Sequence, residues 1–415
     1  MIIPTATDTI NNGSEDEAVP DARAVDTGVF QTGRVVTIGG AHAVHDTYTA
    51  FLAPLLPVFI TKLSLSKTEA GALTVFMQAP SLLQPFIGHL ADRISLRYLV
   101  ILAPALTAMM MSLLGIASRY AVLALILTVV GLSSAAFHAT GPVMAGRLSG
   151  RKLGRGMGFW MVGGELGRTI GPIVVVTAVN VLTLEGTPWL MTGGLLASFF
   201  LYLLLKNVPG KPPERTHEIS FRQGLQVLRP LLVPLVGIVA VRVFMLAALM
   251  TYLPIFLTEE GASLWFAGVS LTLFEAAGVA GALTGGSMSD RLGRRLVLII
   301  VMVTTPLFML AFLAADGWIR FPLLLALGFT SLSAAPVMMA LVQESCPENR
   351  ALANGVYMAL SFVIRSGAVL VLGAVGDAFG LRLAFTLSAI APLLGLPFVF
   401  MLPSSSPSGQ GHNST

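Results

Sequence analysis

The chain has 415 residues, 55% of them hydrophobic and 11% charged, with a formal net charge of +4. A soluble domain carries about 25% charged residues, so this composition excludes a large water-soluble enzyme and indicates lipid as the solvent. A single cysteine, Cys346, excludes an intramolecular disulfide and any Cys-based metal cluster.

In chain order, residues 1–33 are polar and acidic, with Glu15, Asp16, Glu17, Asp21 and Asp26. They lack the basic start and apolar core of a signal peptide and are expected to form a disordered cytoplasmic tail. Apolar runs long enough to cross a bilayer follow at 35–60, 69–91, 98–117, 121–146, 157–181 and 188–205. After a polar linker at 206–229 come six more, at 230–257, 264–288, 296–315, 321–342, 352–377 and 382–402, and then a low-complexity tail at 403–415. The expected fold is an all-α membrane protein of twelve transmembrane helices in two six-helix halves, 34–205 and 230–402. Arg and Lys concentrate in the loops on one side: Arg93, Arg97, Arg147, Arg151, Lys152, Arg155, the linker, Arg291, Arg294 and Arg295. The positive-inside rule places that side and both termini in the cytoplasm, so the positive charge reports topology and not nucleic-acid binding. A multi-pass protein of the bacterial inner (plasma) membrane is expected.

The two halves repeat. GHLADRISLR at 88–97 is similar to GSMSDRLGRR at 286–295, which sets Asp92 against Asp290 and Arg93 against Arg291. An offset of 197 aligns Pro57 with Pro254, Gly71 with Gly268, Gly131 with Gly328, Gly158 with Gly355 and Arg168 with Arg365. An offset that persists through five spans indicates a tandem duplication of a six-helix unit. Parallel repeats of this kind build transporters whose site lies near the midplane between the halves.

The motif G-x-x-x-D-R-x-x-x-R after the second span resembles the loop signature of the major facilitator superfamily, and GGELGRTIGP in the fifth span resembles the glycine-rich signature of its antiporters. HAVHD in the first span, AFHATGP in the fourth and VGGELGRTIGP in the fifth look like segments of the fosmidomycin resistance protein family, although His45 replaces Asn and Ala139-Thr140 replace Pro-Glu. The resemblance implies alternating access. It also implies that Asp92, Arg93, Arg97, Arg147, Asp290 and Arg291 gate one side, with Asp92 pairing to a nearby Arg such as Arg147. It further implies that the glycine-rich segment faces the other half.

Three acids and three bases fall inside spans: Asp46, Glu165 and Glu275 against Arg168, Arg242 and Arg365. Such groups are costly in lipid and mark a pathway or an internal ion pair. At 3.6 residues per turn His42, His45, Asp46 and Thr49 share one face of the first span, as a cavity wall would. The offset sets His45 opposite Arg242, which suggests a cationic grip on an anion beside a titratable Asp46; an ion pair that only fixes packing is the alternative. Glu165 and Arg168, three apart, can neutralise each other, whereas Arg365 needs a partner from another helix or an anionic ligand. Glu275 is either a proton carrier or a counter-ion to one of the arginines. His138 in the fourth span is a packing residue or a proton or ligand group. No metal or cofactor is expected, because the histidines lack carboxylate companions at zinc spacing, and no nucleophile–base set indicates an enzyme.

The expected function is proton-coupled antiport that exports a small organic, anionic or drug-like compound from a monomer. An uptake symporter or anion exchanger of the same fold, or a non-transporting sensor, is the alternative.

Overall fold

A computed structural model describes residues 29–84, 87, 96–150, 153–208, 221–345 and 350–402. Every regular element among them is helical. Eleven helices are long and apolar enough to cross a membrane: Thr32–Leu63, Arg97–Ile116, Tyr120–Leu148, Arg155–Leu182, Thr187–Leu205, Leu228–Glu259, Leu264–Leu292, Arg294–Ala314, Gly317–Val342, Val356–Phe379 and Leu381–Phe400. The second expected span is the helix Lys67–Gln78, which runs on into the 3-10 segment Ala79–Leu83. Counted with it, these are the first to twelfth spans of a multi-pass membrane protein. Leu125, Phe199, Phe200 and Leu204, each more than half exposed, cover faces suited to lipid.

Proline positions shape the two helices that begin the halves. In the first span the helix Thr32–Thr49 stops and restarts as Leu52–Leu63. The break falls four residues before Pro54, whose ring displaces the carbonyl that an unbroken helix would present. The seventh span answers with a π-helical turn at Ala248–Tyr252, just ahead of Pro254. The second span is started by a capping box in which Ser66 accepts from Glu69 N and Glu69 accepts from Ser66 N.

The repeat is visible in side-chain chemistry. Arg97, at the start of the third span, donates to Lys206 O and Val208 O at the end of the sixth. Arg295, at the start of the ninth, donates to Val399 O and Phe400 O at the end of the twelfth. In each half one guanidinium takes up carbonyls that the end of a helix leaves free.

The halves are tied together at the end away from the termini. There Leu52–Leu63 packs on Leu253–Glu259, with Leu55, Phe59, Leu253 and Phe256 in one buried cluster. Asp377 of the eleventh span accepts from Lys67 N at 2.6 Å, Thr68 N at 3.0 Å and Thr68 Oγ1 at 2.7 Å. Lys67 Nζ pairs with Glu259 at 2.9 Å. Tyr252 OH lies 2.7 Å from Val369 O and 3.3 Å from Lys67 O. Among the described residues every hydrogen bond and salt bridge between the halves lies at this end. At the terminal end the buried cluster of Val35, Ile38, Val100, Phe137 and Leu205 belongs to one half alone.

Candidate functional site: a charge cluster where the halves meet

The first and fifth spans approach closely because the fifth is glycine-rich. A Cβ on Gly39 would lie 2.8 Å from Phe159 O, and one on Gly163, Gly167 or Gly171 would overlap the carbonyl oxygens of Gly39, Ala43 and Thr47. The resemblance places this segment against the other half. Its glycines instead face the first span of their own half, and on this helix Val176 reaches across, against Gly268 of the eighth span. The close approach sets Arg168 beside Asp46.

Asp46 is the centre of the cluster and is buried, 4% exposed. Its Oδ2 lies 3.2 Å from Arg168 Nη1 and 3.3 Å from His42 Nε2, while Oδ1 lies 3.8 Å from His138 Nε2. His42 stacks on Trp160 at 3.8 Å between ring centroids and donates through Nδ1 to Trp160 O at 2.8 Å. His138 donates through Nδ1 to Ser134 O at 2.9 Å.

Arg168 is the hub between the halves. Its second terminal nitrogen pairs with Glu165, and Glu275 of the eighth span is its electrostatic neighbour from the other half. Glu275 is buried, with Oε2 lacking a hydrogen-bond partner among the described residues. Arg365 is another electrostatic neighbour of Glu275, yet its Nη2 contacts only Met250 Sδ, at 3.5 Å, and its Nε has no partner among the described residues. Glu275 and Arg365 thus face the same region with hydrogen-bonding capacity unused, which is costly in a low-dielectric setting unless a ligand or proton takes it up.

The expected residues do not all converge. His42, Asp46, His138, Glu165, Arg168, Glu275 and Arg365 come together. Arg242 does not join His45: it is buried in the second half, donates to Ser331 O at 3.1 Å and lines a narrow pocket with Met302, Thr305 and Pro392. His45 is fully buried and stacks on Phe137 at 4.5 Å, with neither ring nitrogen hydrogen-bonded among the described residues. Equal repeat register therefore did not give equal direction, and His45 and Arg242 are not brought together.

Of the expected gate residues, Asp92 and Arg93 lie outside the described residues. Arg97 is an anchor within its own half, as given above. Arg147 is half-buried at the terminal end and Arg291 is exposed. Asp290 pairs with Arg294 at 2.6 Å, and Arg294 also holds Glu344 at 2.7 Å. Arg294, which the sequence offers only as one of the basic loop residues, is thus the partner of both acids. Trp160 and Asp377 were also missed, the first because an aromatic in a span reads as packing, the second because it falls at a predicted helix end. The metal expectation changes as well: ligand atoms of His42, Asp46 and His138 lie within 4.8 Å of one another, so a carboxylate companion is present.

Comparison with known proteins agrees with this architecture. The model of the Major Facilitator Superfamily matches residues 38–283 and 235–414. The fosmidomycin resistance protein of Escherichia coli (strain K12) is 24% identical over 370 residues, covering 87% of this chain and 90% of that one. An uncharacterized MFS-type transporter of Bacillus subtilis (strain 168), YfnC, is 24% identical over 91% of this chain and 95% of its own. Among solved structures, a bacterial homologue of the human lysosomal transporter Spinster, in an inward-facing and unoccupied conformation, superposes with a TM-score of 0.73 at 14% identity, covering 89% and 96% of the two chains. The D-xylose–proton symporter gives 0.66 at 17% identity, over 89% and 96%. The chain belongs to the Major Facilitator Superfamily and is a transporter of the secondary kind.

Proposed function

We propose that the protein is a monomeric, proton-coupled antiporter of the bacterial inner membrane that exports a small organic compound. The observation that carries this reading is Glu275, a buried acid with an unpartnered oxygen, placed on one half and facing Arg168 of the other. With the basic loops and both termini in the cytoplasm, the end at which Lys67, Tyr252 and Asp377 tie the halves together faces outside. A compound that reaches the region between the halves meets Glu275 Oε2 and Arg365 Nε, neither hydrogen-bonded among the described residues, so a molecule with a donor or cationic group at one end and an oxygen acceptor at the other fits both. A proton and such a donor compete for one carboxylate, which is the condition for exchange. Proton arrival from outside displaces the compound, and its loss to the cytoplasm restores the site. Asp46, already engaged by Arg168 and the two histidines, holds Arg168 in place and leaves the proton to Glu275.

The same geometry supports symport for an anion. Protonating Glu275 removes a counter-charge from Arg365 and Arg168, and an anion then binds with the proton instead of against it.

Proteoliposomes containing a pH-sensitive dye test both, with fosmidomycin as the first probe because of the relative above. Antiport predicts proton flux opposite to the probe. Glu275→Gln abolishes that flux while leaving exchange of labelled for unlabelled probe. Proton flux with the probe indicates symport, and unchanged coupling in Glu275→Gln refutes the assignment of Glu275.

A further inference from the structure

Two imidazoles in the cluster point their Nε2 atoms at each other. His42 Nδ1 faces Trp160 O and His138 Nδ1 faces Ser134 O, at 2.8 and 2.9 Å. A carbonyl oxygen only accepts, so each Nδ1 is the donor there, with Ser134 Oγ also 3.2 Å from His138 Nδ1, and the Nε2 of each ring is the atom turned toward the cluster. The two Nε2 atoms are 3.2 Å apart, with Asp46 oxygens 3.3 Å from one and 3.8 Å from the other. Two ring nitrogens and a carboxylate thus converge on one point, an arrangement that a positive centre among them stabilises, as Arg168 Nη1 already does for Asp46 Oδ2 at 3.2 Å.

The spacing matches a metal ion. Zinc binds imidazole nitrogen at about 2.0–2.1 Å, so two nitrogens on one tetrahedral ion stand about 3.3 Å apart. Anchoring of the remote ring nitrogen by a backbone carbonyl is the outer-shell arrangement that metal-binding histidines use. The His138 side chain is 31% exposed against 5% for His42 and Asp46, so an entry route runs past His138. Arg168 opposes a cation here, but Glu165 and Glu275 offer its guanidinium alternative partners.

We propose that His42, Asp46 and His138 bind a divalent transition-metal cation through both Nε2 atoms and a carboxylate oxygen. Two imidazoles and one carboxylate favour zinc, cobalt or nickel over magnesium and calcium, which prefer all-oxygen shells. The ligands come from the first and fourth spans alone, so the site does not require the halves to close and does not rest on the direction or coupling of transport. An occupied site screens Asp46 and turns Arg168 toward Glu275, which links the ion to the charge contact between the halves.

The test is titration of the untagged, detergent-purified full chain with Co²⁺, read by its visible absorption, and with Zn²⁺, read by calorimetry. One ion per chain with nitrogen–oxygen ligation is expected. His42→Gln, His138→Gln and Asp46→Asn should each weaken binding by more than about a hundredfold, beyond what losing an outer-shell partner costs. A variant with His89, His217 and His412 replaced should bind as the parent does. Gel filtration and thermal unfolding establish that each variant is folded, and His138→Gln, at the most exposed ligand, is the one least able to disturb packing. No stoichiometric ion on the parent chain, or equal binding by the folded His42→Gln/His138→Gln double variant, overturns the proposal and leaves the pair sharing a proton.

Discussion

Replacing Asp377 with Ala should shift the transporter toward opening at the end away from its termini. The carboxylate receives three hydrogen bonds from the first turn of the second span, across the junction between halves. It also sits where a helix N-terminus favours negative charge. Hydrogen bonds to a charged group contribute about 1.5–3 kcal/mol each when buried, but Asp377 is exposed and water replaces part of what is lost. A net bias of about 2 kcal/mol is a fair value after that discount, equivalent to about 30-fold in the equilibrium between conformations. If the outward-open state holds about 1% of the parent population, it should hold about 20% of the variant. Spin labels at Thr61→Cys and Trp265→Cys, in a Cys346→Ser background, report the separation of the halves at that end by electron–electron resonance. A long-distance population should appear in Asp377→Ala and a smaller one in Asp377→Asn, which keeps one acceptor oxygen. Superimposable distance distributions for parent and Asp377→Ala would show that the latch contributes nothing and that the apolar contact of Leu52–Leu63 with Leu253–Glu259 closes this end unaided.

Other outcomes follow from the same geometry. Gly167→Ala places a methyl group against Ala43 O and 2.9 Å from Asp46 Cβ, and overpacking should cost about 1–3 kcal/mol in thermal unfolding; Gly158→Ala, with open space around it, should be neutral. Arg168→Ala strands Asp46 and Glu165 and should lower stability by about 3–5 kcal/mol. Arg168→Lys keeps the charge but cannot reach both acids with a fork, so it should retain the fold and lose most transport in the vesicle assay. Arg294→Ala frees Asp290 and Glu344 and should speed hydrogen exchange at the terminal end of the eighth span without altering binding.

The fold was legible in the sequence because lipid imposes a simple rule. Each span must satisfy its backbone internally and show an apolar surface, so spans can be counted from hydropathy and paired by repeat. Apart from the second, whose end lies outside the described residues, the observed helices agree with the predicted runs to within a few residues, and the duplication reappears in the matching roles of Arg97 and Arg295. The site was legible only in part. Intramembrane charge identified Asp46, Glu165, Arg168, Glu275 and Arg365, since cost alone makes such residues conspicuous. Direction was not legible. His45 and Arg242 share a repeat position, but a shift of one residue, about 100° around the helix, is enough to send a side chain into its own half. Periodicity also could not show that His138, 92 residues after Asp46, would complete a cluster with it, because that depends on how the fourth span packs on the first.

The duplication and the site obey different logics. Scaffold contacts recur in both halves: a broken or bulged helix ahead of Pro54 and Pro254, and an arginine capping the last span of each bundle. The charges do not recur. The first half holds two histidines, two acids and Arg168, whereas the second contributes Glu275 and Arg365 to the shared region and buries Arg242 elsewhere. A symmetric site would bind a symmetric ligand and would resist opening and closing equally at both ends. An asymmetric one gives a chemical orientation to whatever lies between the halves, and Arg168, held by acids of its own half and attracted by Glu275 of the other, is the group whose balance changes whenever Glu275 gains or loses a proton. On the proposed function, the position of one proton on the second half would set how strongly it is held to the first, which is the link between ion and motion that an alternating-access carrier needs.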